Sequence, residues 1–330
     1  MGSEMCIRDS LISDSDRSPH RHQIPTRIPV VARIDEVVQH VPAERARSAV
    51  ALARDNEADS VVAFGGGSTI GLAKIIAKDA GIPIIAVPTT FAGSEATNVW
   101  GLTEQGRKVT GVDDSVLPRA VIYDASLLAS LPTQLKIASG LNAVAHAVDA
   151  FWAPRADPLN RALGTEGLRA LLSGLRALRA NEGDLSALEQ TLYGAYLAAV
   201  AFASAGSGLH HKICHALGGT YNLPHAETHA VVLPYVTAFN AAFADDAAQR
   251  IAGALATESA AVGLYSTYRW LGAPASLREL GLREGDIPEA VRIILPAVPP
   301  SNPRPVTPDG LETLLRAAWA GDPIESQGAN

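Results

Sequence analysis

The stretch SVVAFGGGSTIGLAKIIAKDAGIPIIAV, residues 60–87, predicts the fold of the first part of the chain. Its two apolar runs, SVVAF and PIIAV, are typical of buried strands, and the segment between them has helical spacing from Thr69 to Ala80. Strand, helix and strand joined by short turns form a βαβ unit, in which the two strands are parallel. The stretch therefore predicts an open parallel sheet.

A glycine-rich turn, Gly65, Gly66, Gly67 and Ser68, follows the first of these strands and opens the helix. Backbone N–H groups at a helix N-terminus bind phosphate, and glycines let the anion approach closely. The form GGGSTIG matches neither the G-x-G-x-x-G nor the GK[ST] pattern, so a turn that binds nothing stays an alternative. A second polar turn, residues 88–95, follows the next strand, and ligands of open parallel sheets bind beyond those strand ends. Together the turns favour a nucleotide site.

The pattern changes after Pro132, where strand signals give way to helical spacing. We predict strands at 29–34, 60–64, 83–87 and 119–123, a hairpin at 99–103 and 108–112, and helices at 43–56, 69–80, 135–152, 159–180, 186–205, 245–256 and 262–271, besides the histidine-rich segment described below. The predicted fold class is α/β plus all-α, with a Rossmann-like parallel sheet at 29–131 and an all-helical domain at 132–330. Residues 1–28 are rich in Ser, Arg, Asp and Pro, and we predict a disordered or artefactual leader.

Composition excludes several classes of protein. The chain is 47% hydrophobic and 18% charged, with a formal net charge of −7, which gives no electrostatic reason to expect nucleic acid or an anionic membrane as a partner. Two cysteines cannot build a disulfide framework, and we expect Cys214 to be a packed, reduced thiol. No apolar run approaches the ~20 residues of a membrane helix, and no signal peptide is evident, so we expect a cytoplasmic protein.

A histidine-rich stretch, GSGLHHKICHALGGTYNLPHAETHAVVLPY at 206–235, carries five of the nine histidines. These are His210, His211, His215, His225 and His229. His211 and His215 are four residues apart and share one face of a helix, while Pro224 stiffens a turn that can bring His225 back toward that face. Imidazole donates protons near neutral pH, donates hydrogen bonds and binds metals. The cluster indicates a functional site, and the alternative is that these rings are core or surface residues.

These motifs in this order resemble the iron-containing alcohol dehydrogenase family, and within it the maleylacetate reductases. The resemblance rests on GGGSTIGLAK (65–74), VPTTFAGSEATNVWGLTEQGRKVTG (87–111), SGLNAVAHAVDAFWAP (139–154), GLHHKICHALGGTYNLPHAETHAVVLPY (208–235) and NPRP (302–305). It implies a nucleotide-binding α/β domain, an all-α domain and an active site in the cleft between them. The family usually starts with a further strand–helix unit, so the sheet is expected to be truncated.

The resemblance also bears on metal binding. Metal-dependent members hold iron or zinc with one Asp and three His, and the matching positions here are Asn142, His146, His211 and His225. An amide and three imidazoles form a poorer site for a hard divalent ion than a set with a carboxylate. We therefore expect no catalytic metal, with His146, His211 and His225 as the ligands if one is bound.

The implied reaction transfers a hydride from NADH or NADPH to the conjugated C=C of 2-maleylacetate and gives 3-oxoadipate. Negative charge develops on the ketone oxygen, so hydrogen-bond donors must stabilise an enolate. The catalytic candidates are His215 as proton donor with His225, His211, His146 and Lys108. The cofactor-binding candidates are Gly65, Gly66, Gly67, Ser68, Thr89, Thr90, Ser94 and Lys74, and the substrate-binding candidates are Asn98, Asn142 and Arg304.

Some of these residues have a plain structural alternative. Lys74 either neutralises cofactor phosphate or is a solvated helix residue, and Arg304 equally suits capping a helix. We expect His229 to be a structural hydrogen-bonding residue. The expected partner is a small dicarboxylate and the expected assembly a homodimer. Two other functions stay open: a metal-dependent alcohol dehydrogenase, and a truncated fragment that binds nucleotide without turnover.

Overall fold

The architecture comes from a computed structural model, which describes residues 9–13, 30–35, 37, 41–104 and 107–325, without the side chains of residues 9–13, 107 and 108. The chain divides into two compact units, Met1–Leu131 and Pro132–Asn330. The first unit combines strands and helices, and the second is helical throughout its described residues. The α/β plus all-α class predicted from the sequence is confirmed.

The first unit is built on a five-stranded parallel sheet with the strand order β2-β1-β3-β4-β7. Its strands are β1 (Asp9–Ser13), β2 (Val30–Ile34), β3 (Ser60–Gly65), β4 (Ile84–Pro88) and β7 (Ala120–Val121). Helices α1 (Ala43–Asp55) and α2 (Gly67–Ala80) pack through apolar residues such as Val50, Ile70 and Ile76 into one core with β3 and β4. All six residues of β3 are buried, because a central strand of a parallel sheet is covered on both faces.

The prediction of a disordered leader is wrong for Asp9–Ser13. These residues form β1, which pairs in parallel with both β2 and β3. The strand has only two adjacent apolar residues, Leu11 and Ile12, and polar residues surround them, so the sequence shows no apolar run like those of β2 and β4. The rest of residues 1–28 lies outside the described residues, and so do His20 and His22.

The last strand of the sheet also differs from its prediction. Residues 119–123 were expected to form a buried strand, but only Ala120–Val121 pair, and Ile122 is 53% exposed. The run lies at the edge of the sheet next to β4, and within the described part of the chain no other strand pairs with its outer side. The predicted hairpin is present as the antiparallel pair β5 (Val99–Glu104) and β6 (Arg107–Val112).

The second unit is an assembly of nine helices within its described residues. They are α3 (Thr133–Ala150), α4 (Pro158–Ala180), α5 (Leu185–Ala205), α6 (Leu209–Tyr221), α7 (His225–Ala241), α8 (Asp245–Leu255), α9 (Ala260–Leu271), α10 (Ile287–Ile294) and α11 (Pro308–Ala320). The sequence predicted neither α10 nor α11. Helix α3 is central, with buried residues at almost every position from Lys136 to Ala150, so its polar side chains Asn142, His146 and Asp149 lie inside the protein.

Helices α4 and α5 approach each other through glycines. A Cβ on Gly194 of α5 would lie 2.7 Å from the backbone nitrogen of Leu171 and 2.8 Å from the carbonyl oxygen of Gly167, both on α4. A Cβ on Gly174 would lie 3.0 Å from the carbonyl oxygen of Ala187. The two helices therefore pack backbone against backbone.

Among the described residues no single helix is both long and apolar enough to cross a membrane. Helices α5 and α6 pass the length and composition criteria only as a pair, and that pair is bent by 97°.

Candidate functional site

The two polar turns of the first unit lie side by side. Gly65 at the end of β3 is in register with Pro88 at the end of β4, and the backbone nitrogen of Thr89 donates to the carbonyl oxygen of Gly65 at 3.0 Å. A Cβ on Gly66 would lie 2.9 Å from Cγ2 of Thr90, so the first turn packs tightly against the second. The two turns thus form one surface at the carboxyl edge of the sheet.

The N-terminus of α2 suits an anion. Its N-cap residue is Gly66, and no side chain of the described residues caps the N–H groups of the first turn. Ser68 is half-buried beside them, and the hydroxyl of Thr69 is buried with no hydrogen-bond partner among the described residues. Uncapped N–H groups at the positive end of a helix dipole, next to glycines, fit the phosphates of a dinucleotide.

Lys74 takes neither of the two roles considered for it. Its side chain is fully buried, so it is not a solvated helix residue. Its ammonium group donates to the carbonyl oxygen of Thr97 at 2.8 Å, to the hydroxyl of Thr97 at 3.0 Å and to the carbonyl oxygen of Val99 at 2.8 Å. All three hydrogens of the ammonium group are thus used to hold the segment that follows the second turn, and none is directed at a phosphate.

A buried carboxyl, missed in the sequence, accompanies this lysine. Glu95 is 3% exposed and accepts a hydrogen bond from the hydroxyl of Tyr123 at 2.9 Å. Burial raises the pKa of Glu95 and lowers the pKa of Lys74 to about 7, while the attraction between the two charges opposes both shifts. The sequence signal is the Glu that follows Gly-Ser in the second turn, which the pattern alone assigns to a polar loop.

Asn98 and Lys108 are the other candidate site residues of the first unit. The amide of Asn98 donates to a carboxylate oxygen of Asp114 at 2.7 Å, and its side chain is half-buried. This contact explains the side chain without a substrate. The backbone of Lys108 belongs to β6, but its side chain lies outside the described part of the chain.

The second unit brings six histidine rings into one contiguous group, which we call the histidine cluster. Its members are His146, His210, His211, His215, His225 and His229. The rings of His146 and His211 are stacked with centroids 5.2 Å apart, and Phe202 contacts both. The rings of His211 and His215, which the sequence predicts on one helix face, are 5.9 Å apart.

The members of the histidine cluster differ in how far they are buried. His210, His211 and His229 are almost completely buried, whereas His215 and His225 are half-buried. His225 is the first residue of α7, directly after Pro224, and its ring lies 6.4 Å from that of His215. The half-buried pair is therefore the part of the cluster that a ligand reaches most readily.

His229 makes the structural hydrogen bond predicted for it. Nδ1 of His229 lies 2.9 Å from Nε2 of His210, and Sγ of Cys214 lies 3.7 Å from the same nitrogen. Burial lowers the pKa of His210 to about 3 and that of His229 well below its usual value, so both rings are neutral at pH 7. Cys214 is a buried free thiol, as predicted.

A buried carboxylate behind the cluster was missed in the sequence. Asp149 of α3 is completely buried, and its Oδ2 lies 2.8 Å from Nδ1 of His211. The backbone nitrogen of Gly208 donates to Oδ2 at 2.8 Å, and the indole nitrogen of Trp152 donates to Oδ1 at 3.0 Å. The available signal was a single acidic residue in an otherwise apolar helix, three positions after His146.

The four positions that match the metal ligands of the family fit a hard divalent ion poorly. Asn142 is 4% exposed and its Oδ1 has no hydrogen-bond partner among the described residues, but an amide oxygen carries no charge. The nearby carboxylate, that of Asp149, binds Nδ1 of His211 and contributes no ligand beside Asn142. Among the described residues, the group whose nitrogen and sulfur atoms lie within 4.8 Å of one another is His210, Cys214 and His229, and the hydrogen bond between its histidines accounts for that group.

Arg304 does not join the histidine cluster. Its guanidinium group stacks over the ring of Phe239 at 4.3 Å and lies 5.6 Å from that of Phe243. Phe239 is fourteen residues after His225 on α7, a distance of ~21 Å along a helix. The stiff Asn-Pro-Arg-Pro turn presents the guanidinium to aromatic rings at the far end of this helix, and substrate binding by Arg304 stays a prediction.

Comparison with protein families gives two matches. Residues 136–319 match the C-terminal domain of the Fe-containing alcohol dehydrogenase family, and residues 20–125 match the iron-containing alcohol dehydrogenase family. The two matches fall on the two units of the structure, one on each side of Leu131.

Similar proteins and structures cover nearly the whole chain. The maleylacetate reductase of Delftia acidovorans is 42% identical over 95% of this chain and 89% of its own length. A crystal structure of an iron-containing alcohol dehydrogenase from Corynebacterium glutamicum is 54% identical, with a TM-score of 0.92 over 96% of this chain and 88% of that one. The maleylacetate reductase structure from Agrobacterium tumefaciens is 37% identical, with a TM-score of 0.90 over 96% and 91%.

Proposed function

Because the chain belongs to the iron-containing alcohol dehydrogenase family and is an oxidoreductase, we propose that it reduces 2-maleylacetate to 3-oxoadipate with NADH or NADPH and without a catalytic metal. The observation that carries the proposal is the histidine cluster, together with Asn142 on α3, which stands at the position matching the aspartate ligand of metal-dependent family members. The identity of 42% to a maleylacetate reductase over nearly the whole chain supports the choice of substrate.

The cofactor supplies the hydride. Gly66, Gly67 and Ser68 bind its phosphates through the uncapped N-terminus of α2, and Thr89, Thr90 and Ser94 complete that surface from the second turn. Lys74 acts indirectly, because its ammonium group holds the segment after Ser94 in place.

The substrate is a dianionic enone, and the chain must stabilise the negative charge that develops on its ketone oxygen. Hydrogen-bond donors fixed in a buried site do this without reorganising during the reaction. His146, His211 and His225 are the donors we assign to the substrate oxygens. Lys108 is a further cation that we assign to the same task.

A proton completes the reduction, since hydride addition to one carbon of the C=C leaves its neighbour to be protonated. His215 is half-buried at the open side of the cluster and contacts the rings of His211 and His225. We assign the proton to its imidazole, because histidine is the side chain that most often serves as a general acid near neutral pH.

The test is oxidation of NADH and of NADPH by the purified protein in the presence of maleylacetate, with and without a chelator, together with analysis of bound metal. Turnover that the chelator leaves unchanged is the expected result. Chelator-sensitive oxidation of simple alcohols would replace the proposal with a metal-dependent alcohol dehydrogenase, and a folded protein with neither activity would leave only a nucleotide-binding fragment. We further propose a cytoplasmic homodimer, which sedimentation and cell fractionation test.

A further inference from the structure

We propose that Asp149 is a positioning residue that fixes the ring orientation and the tautomer of His211, so that Nδ1 carries the proton and Nε2 is the nitrogen offered to a ligand. The inference deepens the proposed function and rests on it for its activity readout only. The carboxylate of Asp149 lies behind the histidine cluster and contacts it through His211.

The contacts of Asp149 show which partner donates. Four nitrogens converge on its two oxygens. The indole N–H of Trp152 donates to Oδ1, while the backbone N–H groups of Gly208 and His211 and the ring nitrogen Nδ1 of His211 meet at Oδ2. A proton on Oδ2 would oppose the two backbone N–H groups. Oδ2 is therefore an acceptor for all three, which places the imidazole proton on Nδ1 of His211.

The surroundings hold the carboxylate in this orientation. Gly208 is the N-cap residue of α6 and His211 lies in its first turn, so the carboxylate lies at the positive end of that helix. The Gly208 site has no room for a side chain, because a Cβ there would lie 2.5 Å from Oδ1 of Asp149. The Trp152 indole fixes the other oxygen. The ring of His211 in turn packs against the rings of His146 and Phe202, which also contact each other.

A fixed tautomer determines what His211 does. With Nδ1–H donating to the carboxylate, Nε2 of the neutral ring carries a lone pair and accepts a hydrogen bond. Nε2 donates to a substrate oxygen once the ring takes up a second proton, and the negative charge of Asp149 stabilises that imidazolium. A carboxylate that orients an imidazole in this way is a recurrent arrangement in catalytic triads and behind metal-binding histidines.

The experiment records nitrogen NMR spectra of histidine-labelled protein after dialysis against chelator and without substrate. The variant His211→Gln assigns the signals of His211. In the unmutated protein we expect a single Nδ1–H tautomer. In Asp149→Asn the NH₂ group of the amide faces either the indole N–H of Trp152 or the backbone N–H of Gly208, so neither orientation satisfies all the donors. We therefore expect a mixture of tautomers and a kcat lowered about 10–100-fold, with a smaller change in KM. A single Nε2–H tautomer in the unmutated protein, or an unchanged spectrum in Asp149→Asn, would overturn the proposal.

Two further variants separate positioning from folding. Gly208→Ala pushes the carboxylate away from His211 through its Cβ, should show the same mixture, and carries the test if Asp149→Asn does not fold. Asp184→Asn is the matched control, because Asp184 caps α5 through the backbone nitrogen of Ala187 and contacts no histidine of the cluster. Its spectrum and kcat should equal those of the unmutated protein, and a tautomer mixture there would count against the proposal. If the protein shows no turnover of maleylacetate but its tautomers change as expected, the proposed function fails and the positioning role stands.

Discussion

The ammonium group of Lys74 and the backbone of Thr97 form a buried clamp across the second polar turn, with Nζ 2.8 Å from the Thr97 carbonyl oxygen. The two residues are 23 positions apart, one on α2 and the other at the end of the turn. The clamp fixes the path of the turn relative to the helix whose N-terminus we assign to the cofactor. A charged group in such a place couples the stability of the turn to pH.

The clamp predicts a pH dependence of folding stability. Because the pKa of Lys74 is about 7 in the folded protein and about 10.5 when unfolded, the unfolded chain binds more protons between these values. The free energy of unfolding contributed by Lys74 therefore rises with pH in this window. We expect the difference between the unmutated protein and Lys74→Met to grow by roughly 1–2 kcal/mol from about pH 7 to about pH 8.5, measured by urea unfolding. Lys78→Met, an exposed position one turn later, is the control and should leave the pH dependence as it is; an equal difference at both pH values for Lys74→Met would contradict the prediction.

The glycine turn gives a prediction about cofactor affinity. Gly66→Ala places a Cβ 2.9 Å from Cγ2 of Thr90, so one of the two turns must move. We expect the Kd for NADH, measured by fluorescence titration, to rise at least about tenfold, which corresponds to ~1.4 kcal/mol. Gly253→Ala on α8 has open space around its Cβ and is the control for a glycine-to-alanine change. Equal affinities in all three proteins would remove the turn from the cofactor site.

The proton donor is tested by His215→Ala. Loss of a general acid lowers kcat by roughly 10²-fold or more, and the effect should be larger on kcat than on KM. Lys212→Ala, on the same helix, serves as the control. An unchanged rate in His215→Ala would exclude this histidine from the reaction.

Metal binding is tested by Asn142→Asp. A carboxylate at this position restores the anionic ligand beside His146, His211 and His225, so the affinity for zinc or iron should increase. Calorimetric titration of chelator-treated protein measures it, with Asn240→Asp, a buried asparagine paired with Asn302, as the control. If Asn142→Asp binds no more metal than the unmutated chain, these four residues do not surround a common point.

Arg304 is expected to contribute to stability and not to substrate binding. Replacing it by Met removes cation–π contacts to Phe239 and Phe243 worth about 0.5–1 kcal/mol at an exposed site, and leaves the histidine cluster as it was. We expect a small fall in Tm and an unchanged KM for maleylacetate. A KM raised severalfold would restore Arg304 as a substrate ligand.

The sequence predicted the parallel sheet and most helices because their apolar runs are long enough to show a period. It missed β1, whose apolar pair Leu11 and Ile12 is too short, and it did not reveal α10 or α11. Lys74 shows why the contacts of the site were harder to predict from the sequence than the helices and strands. Its position on α2 follows from the helical spacing, but the carbonyl groups of Thr97 and Val99 that accept from it lie on the segment after the second turn, whose course depends on tertiary packing.

The contact of Asp149 with the histidine cluster also depends on tertiary packing. The clustering of His211, His215 and His225 follows from their spacing, whereas the contact between Asp149 and His211 joins residues 62 positions apart. No periodic pattern encodes such a pair. Only the packing of α3 against α6 brings them together.

The glycine contacts between α4 and α5 limit how the protein can be made more heat-resistant. Replacing a helix-interior glycine by alanine ordinarily raises stability by roughly 0.5–1 kcal/mol, because alanine restricts the denatured chain. At Gly167, Gly174 and Gly194 the added methyl group would separate two backbones that touch, so consensus-style substitutions there should abolish expression of folded protein. Thermostabilising libraries for this enzyme should keep those three positions fixed and sample glycines such as Gly253 instead.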